Sequence, residues 1–140
     1  MYQLRENELY ETADGEQVCV LGVVPRTELL VFLLTTAGHV SSFIGHRWQI
    51  ETYFAMPGPA YQHRGQSAEV AQALALAYWR VIRRDGFNRF TALGYDYATA
   101  AAVLSMIYRK ARYVMQPRPV HPGKSATAGE SPGRGPPAPR

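Results

Sequence analysis

Cysteine is almost absent from this sequence: Cys19 stands alone among 140 residues. A lone thiol closes no intramolecular disulfide, and a thiolate zinc site needs several cysteines, so a disulfide-stapled scaffold and a zinc ribbon are both excluded. Long apolar runs are missing too, and no stretch approaches the roughly 20 consecutive apolar residues that span a bilayer. The opening Met1-Tyr2-Gln3-Leu4-Arg5-Glu6 carries neither the basic patch nor the apolar stretch of a secretory signal. The expectation is a cytoplasmic protein of a reducing compartment, without a membrane partner. Lysine is scarce as well, two residues against thirteen arginines.

What is present is enough to build a core. Hydrophobic residues make up 46% of the chain, which excludes global disorder. The net charge of +4 is unevenly spread. Residues 1–60 hold three arginines against seven acids, giving −4, while residues 61–116 hold eight cations against three acids, giving +5. Residues 117–140 add four cations and Glu130, giving +3. The sequence pI near 9.4 therefore reflects a polarised chain with a basic tail rather than a uniformly basic one. The arginine excess suits bidentate recognition of phosphate or carboxylate, although the plentiful Ala, Gly and Pro equally fit the codon bias of a GC-rich bacterial or phage genome.

The first half reads as an antiparallel meander. Gln3–Thr12 is a polar strand candidate, and Asp14-Gly15 carries a tight hairpin turn. Gln17–Val24 follows, with Val18-Cys19-Val20-Leu21 dense enough for a strand covered on both faces. Leu29–Thr35 and Val40–Ile44 flank Ala37-Gly38-His39, and in Arg47–Phe54 the residues Trp48, Ile50, Thr52 and Phe54 alternate with polar ones, the period of a fifth strand. Met56-Pro57-Gly58-Pro59 ends the sheet region, and Ala60–Gln66 reads as a loop. Ser67 is an N-cap candidate for a helix to Arg84, Gly86 a left-handed terminator, and Asp96 the N-cap candidate of a second helix ending near Val114. From Pro117 on, seven prolines and four glycines in 24 residues predict a disordered tail. The fold class expected is α+β: a five-stranded, mainly antiparallel sheet within residues 3–55, packed against helices near 67–84 and 97–114, as one domain spanning 1–116.

A turn of 100° per residue gives the first helix a buried stripe of Val70, Leu74, Tyr78 and Val81. Opposite lie Gln72, Leu76, Trp79, Arg80 and Arg83. Leu76 and Trp79 do not belong on a solvated face, and a tryptophan beside guanidinium groups suits a partner anchor or a platform for a stacked base. The competing reading is a helix sandwiched between the sheet and the second helix, with both faces buried; the expectation for Trp79 is partial burial, with its indole edge reachable beside Arg83. The second helix is expected to bury Ala100, Val103, Leu104, Ile107, Tyr108 and Ala111. Its other face, with Ala98, Ala102, Ser105 and Met106, is small enough for helix pairing and a homodimer. Arg80, Arg83, Arg84, Arg109, Lys110 and Arg112 cluster at two helix C-termini, where the helix dipole alone favours cations. Arg64 and Arg89 complete the basic set. Phe90–Ala100 has the outline of a helix-turn-helix around Gly94, but the alanine-rich start of the second helix offers only Asp96 and Thr99 as base-reading side chains.

Catalytic chemistry finds little support. His39, His46 and His63 fall in turns or loops and His121 in the tail, with no metal-ligand spacing among them. Cys19 sits inside an apolar strand, where thiols are inert packing. No phosphate-cradling glycine loop occurs, and no cofactor is implied. The leading expectation is a small non-enzymatic regulatory or accessory protein that binds nucleic acid or a nucleoprotein complex through Arg64, Leu76, Trp79, Arg80, Arg83, Arg84, Arg89, Arg109, Lys110 and Arg112. The alternative is a protein-binding inhibitor or adaptor, such as a phage- or plasmid-borne antagonist of a host defence complex, using Leu76, Trp79 and the small-residue face. An enzyme working through the turn histidines is the third reading.

Overall fold

A computed structural model describes residues 4–55 and 61–115. The tail predicted to be disordered lies outside the described residues. Strands β1 (Glu8–Glu11), β2 (Gln17–Val23), β3 (Leu29–Thr36) and β4 (His39–His46) form the meander, followed by helix α1 (Arg47–Ala55) and strand β5 (Gln62–Gln66). Helices α2 (Ala68–Ile82), α3 (Gly86–Ala92) and α4 (Tyr97–Met115) complete the described chain. The five strands make one antiparallel sheet in the order β4-β3-β2-β1-β5. The fold is α+β.

β2 is central and covered on both faces, so Val18, Cys19, Val20 and Leu21 are all buried. Alternation sends them to two cores. On one face Leu9, Cys19, Leu21, Val31 and Leu33 pack against α2 and α4. On the other, Tyr10, Val18, Val20, Leu30 and Phe32 meet Leu4 and Ile50. Ser67 caps α2 by accepting from the Val70 N–H at 3.1 Å, and Asp96 caps α4 by accepting from the Thr99 N–H at 2.8 Å.

Four local expectations are corrected. The segment Arg47–Phe54 is not the fifth strand; it belongs to α1. Of its alternating residues Ile50 is buried while Trp48 is 64% exposed, so period two did not report a buried sheet face. The fifth strand is instead Gln62–Gln66, inside the segment read as a loop. It carries no apolar signal because it is an edge strand held by pairing with β1, by a hydrogen bond between His63 and Glu8, and by an ion pair of Arg64 with Glu11. Gly86 does not end α2 in a left-handed turn: it opens α3 and is buried, and a Cβ there would lie 2.7 Å from Leu104 Cδ2. Close packing, not backbone freedom, calls for glycine. The helix faces are also shifted in part from the expected wheels: α2 buries Leu74 and Tyr78 with the flanking Ala71 and Ile82 as expected, but adds Ala75 and turns Val81 outward. On α4, Met106 is buried against Gly22 and Tyr108 is turned toward solvent, the reverse of the expectation.

Candidate functional site

The two long helices are antiparallel neighbours, since Trp79 on α2 meets Tyr108 on α4 while Gly86, after α2, meets Leu104. The Trp79 and Tyr108 rings lie 5.1 Å apart, tilted by 54°. Tyr108 is 40% exposed and Trp79 is half-buried against the core, so the pair roofs the seam between the helices with part of its surface open. The indole's aromatic neighbour is this tyrosine, which the wheel had assigned to the core. Three and four residues along α2 and α4 from this pair stand Leu76, Arg83 and Arg112, with Arg80 adjacent to Trp79 on the outer side.

The ten residues singled out from the sequence do not form one patch. Arg64 on β5 pairs with Glu11 at 3.2 Å, and Arg89 on α3 pairs with Asp85 at 3.2 Å. Lys110 turns back to Glu6 and to Asn7 Oδ1, the latter at 3.0 Å, tying α4 to the segment before β1. Those three cations are engaged within the chain. Arg80, Arg83, Arg84, Arg109 and Arg112 are exposed, and among the described residues none has a carboxylate partner. Arg109 points to the other flank of α4, where it lines a shallow cavity with Glu6, Met106, Lys110 and Tyr113. Arg80 and Arg83 follow Trp79 by one and four residues and Arg112 follows Tyr108 by four, so in the antiparallel helix pair Arg83 and Arg112 lie on opposite sides of the Trp79–Tyr108 contact. The small-residue face of α4 is only partly open: Ala98 and Ser105 are exposed, Ala102 is half-buried and Met106 points inward.

Sequence reasoning missed one polar cluster. Glu8 is solvent-inaccessible; its Oε1 lies 2.7 Å from His63 Nε2 and its Oε2 accepts from Arg5 Nε at 2.9 Å. Burial pushes this carboxyl up, but the hydrogen bonds and charges of His63 and Arg5 outweigh burial and hold it below its ordinary value. An ionised Glu8 makes His63 Nε2 the donor. The His63 ring also stacks near Tyr10, with centroids 5.0 Å apart. Since His63 and Glu8 are 55 residues apart in sequence, only the β1–β5 pairing could reveal them.

The remaining chemistry is sparse. Burial pushes the Cys19 thiol up to about 12, so it is protonated and unreactive at neutral pH. Among the described residues no group of three or more His, Cys, Asp or Glu side chains is placed to hold a metal, and no helix is long and apolar enough to cross a membrane. The α3–Gly94–α4 segment does turn at a left-handed glycine (φ +100°). The start of α4 nonetheless presents the Asp96 carboxylate, lowered by hydrogen bonds from Thr99, beside alanines and an exposed Tyr97. A negative charge at that position disfavours insertion into a groove lined by phosphates. Comparison of the chain with protein-family models, with curated proteins and with solved structures gives no match.

Proposed function

We propose that this chain is a non-enzymatic, cytoplasmic regulatory or accessory protein that binds nucleic acid, alone or within a nucleoprotein complex, through the outer seam of α2 and α4. The observation that carries the reading is the partly open Trp79–Tyr108 pair, with the exposed Arg80 and Arg83 one and four residues on from Trp79 and the exposed Arg112 four residues on from Tyr108, none of them neutralised by a carboxylate among the described residues. Guanidinium groups without internal partners keep their planar donor forks for phosphate, and an aromatic surface beside them stacks a base without demanding a particular sequence. Arg64, Arg89 and Lys110, by contrast, are spoken for within the chain and contribute little. Single-stranded nucleic acid fits best, because its unstacked bases reach a partly open aromatic ring that has no helix shaped to enter a groove.

Mobility-shift titrations of the full chain against a single-stranded and a duplex oligonucleotide, each at two salt concentrations, test this. Binding is expected to weaken as salt rises. Charge reversal of Arg80, Arg83 and Arg112 should flatten the log–log salt slope by about 0.7 per lost contact on a single strand and about 0.9 on duplex. The same reversal at Arg64 and Arg89 should change it little. A slope untouched by the first set moves the site off the seam. No binding at low salt overturns the reading and leaves Trp79 as an anchor for a protein partner.

A further inference from the structure

The two edges of the sheet are unlike. β5 carries His63 and Arg64, a left-handed Gly65 (φ +78°), and a shift in its register against β1, all of which discourage another strand from adding there. β4 carries histidines only at its two ends, His39 and His46, and has neither an arginine nor a break in register. His39-Val40-Ser41-Ser42-Phe43-Ile44-Gly45-His46 contains no Lys, Arg, Asp, Glu or Pro, and its register with β3 is unbroken from Thr36↔His39 to Leu29↔His46.

The ladder also tells which main-chain groups face outward. Ala37 (φ +52°) and Gly38 (φ +81°) form the two-residue turn, so Thr36 and His39 exchange their main-chain bonds, and after them Leu34 with Ser41 and Phe32 with Phe43. The N–H and C=O groups of Val40, Ser42, Ile44 and His46 therefore point away from β3. Two of these residues are already served: the Tyr95 hydroxyl donates to the Ile44 carbonyl at 3.3 Å, and the His46 N–H donates to Gln49 Oε1 at 2.8 Å. Among the described residues nothing meets the outward main-chain groups of Val40 and Ser42.

We infer that β4 pairs with β4 of a second copy of this chain, antiparallel about a two-fold axis through Ser41. In that register Ser41 faces Ser41 of the second copy, and Val40 faces Ser42 of the second copy on either side. Each Val40–Ser42 pair exchanges two main-chain bonds, so the open donors and acceptors are met by their own kind. An uncharged strand is self-complementary in a way a charged one is not, since no like charges are brought opposite each other. Tyr95 and Gln49 close the edge beyond residue 43, which limits the pairing to about five residues and makes the dimer a weak one. The axis stands perpendicular to the sheet, so both helical layers, with both α2–α4 seams, lie on the same side of a continuous sheet.

Sedimentation velocity of the full chain over a concentration series up to about 500 µM reads the association directly. A concentration-dependent monomer–dimer equilibrium is expected. Ser41 is exposed, so Ser41→Lys and Ser41→Glu should keep the circular dichroism and melting temperature of the parent while each weakens dimerisation at least about tenfold, through like charges placed directly opposite. An equimolar mixture of the two variants should recover the dimer, a result that only a register with Ser41 facing itself produces. A chain that stays monomeric throughout overturns the proposal. So does a dimer indifferent to both Ser41 substitutions and lost instead on changing Ala98 and Ser105 of α4.

Discussion

Trp79 owes its position to its neighbours on both sides: its inner edge packs on the core and its ring meets Tyr108. Truncation to alanine should therefore cost about 2 kcal/mol of stability in a denaturant titration, below the roughly 3–5 kcal/mol of a fully buried tryptophan. Trp79→Phe should restore most of that stability and much of the single-strand affinity, because the stacking face survives. A loss above about 4 kcal/mol for Trp79→Ala would mean that the ring is wholly structural. Glu8 makes a different prediction. Its carboxyl is held below its unfolded value, so its contribution to stability is fully present above about pH 4.5 and is lost as pH falls through the folded value. Denaturant midpoints measured between pH 6 and pH 3 should fall for the parent, and fall less steeply for Glu8→Gln, which has no such proton to gain. Equal slopes would show that Glu8 is not the titrating group.

Among the elements, α3 depends on a contact rather than on its own propensity. It is seven residues long, and its Asp85 N-cap makes no side-chain capping bond. Gly86 seats it against Leu104 of α4 so closely that a methyl group at residue 86 meets Leu104 Cδ2 at 2.7 Å. Gly86→Ala is expected to lower stability by about 1–3 kcal/mol through overpacking, despite alanine's better helix propensity. In a double-mutant cycle, Leu104→Ala should relieve part of that cost, giving a favourable coupling of at least about 0.5 kcal/mol. Additive costs would place the strain elsewhere. α1 shows the opposite situation, a helix read as a strand. The Thr52 hydroxyl bonds the Trp48 carbonyl one turn back and Gln49 accepts from the His46 N–H, both local bonds of a helical turn. Alternating hydrophobicity over eight residues does not outweigh such bonds.

For the whole molecule, the charge asymmetry found along the sequence becomes an asymmetry of layers: the acids of the first half sit on and around the sheet, where Glu6, Glu8 and Glu11 take up Lys110, His63 and Arg64. Among the described residues, Arg80, Arg83, Arg84, Arg109 and Arg112, in or just after α2 and in α4, are left without a carboxylate partner, as are Arg26 and Arg47 of the first half. The proline- and glycine-rich tail adds positive charge but almost no apolar side chains. A chain ending at residue 116 should therefore keep its melting temperature within a few degrees while binding nucleic acid somewhat more weakly at low salt. A larger fall in melting temperature would show that the tail docks on the folded part.

Composition, turn residues and hydrophobic density were sufficient to read the α+β class, the meander of β1 to β4, the caps Ser67 and Asp96, and the extents of α2 and α4 to within about two residues. Those features rest on interactions between neighbours in sequence, which a sequence displays. Gln62–Gln66 became a strand only because β1 offered it a ladder and two carboxylates, and none of its own five residues calls for that. The rotation of α2 and α4, which buried Met106 and brought Tyr108 out beside Trp79, was likewise set by packing on the sheet and by Gly86 admitting the close approach of Leu104. Which cations remain unpaired was decided last of all, because an ion pair such as Lys110 with Glu6 joins residues 104 positions apart, and only the folded chain brings them within reach.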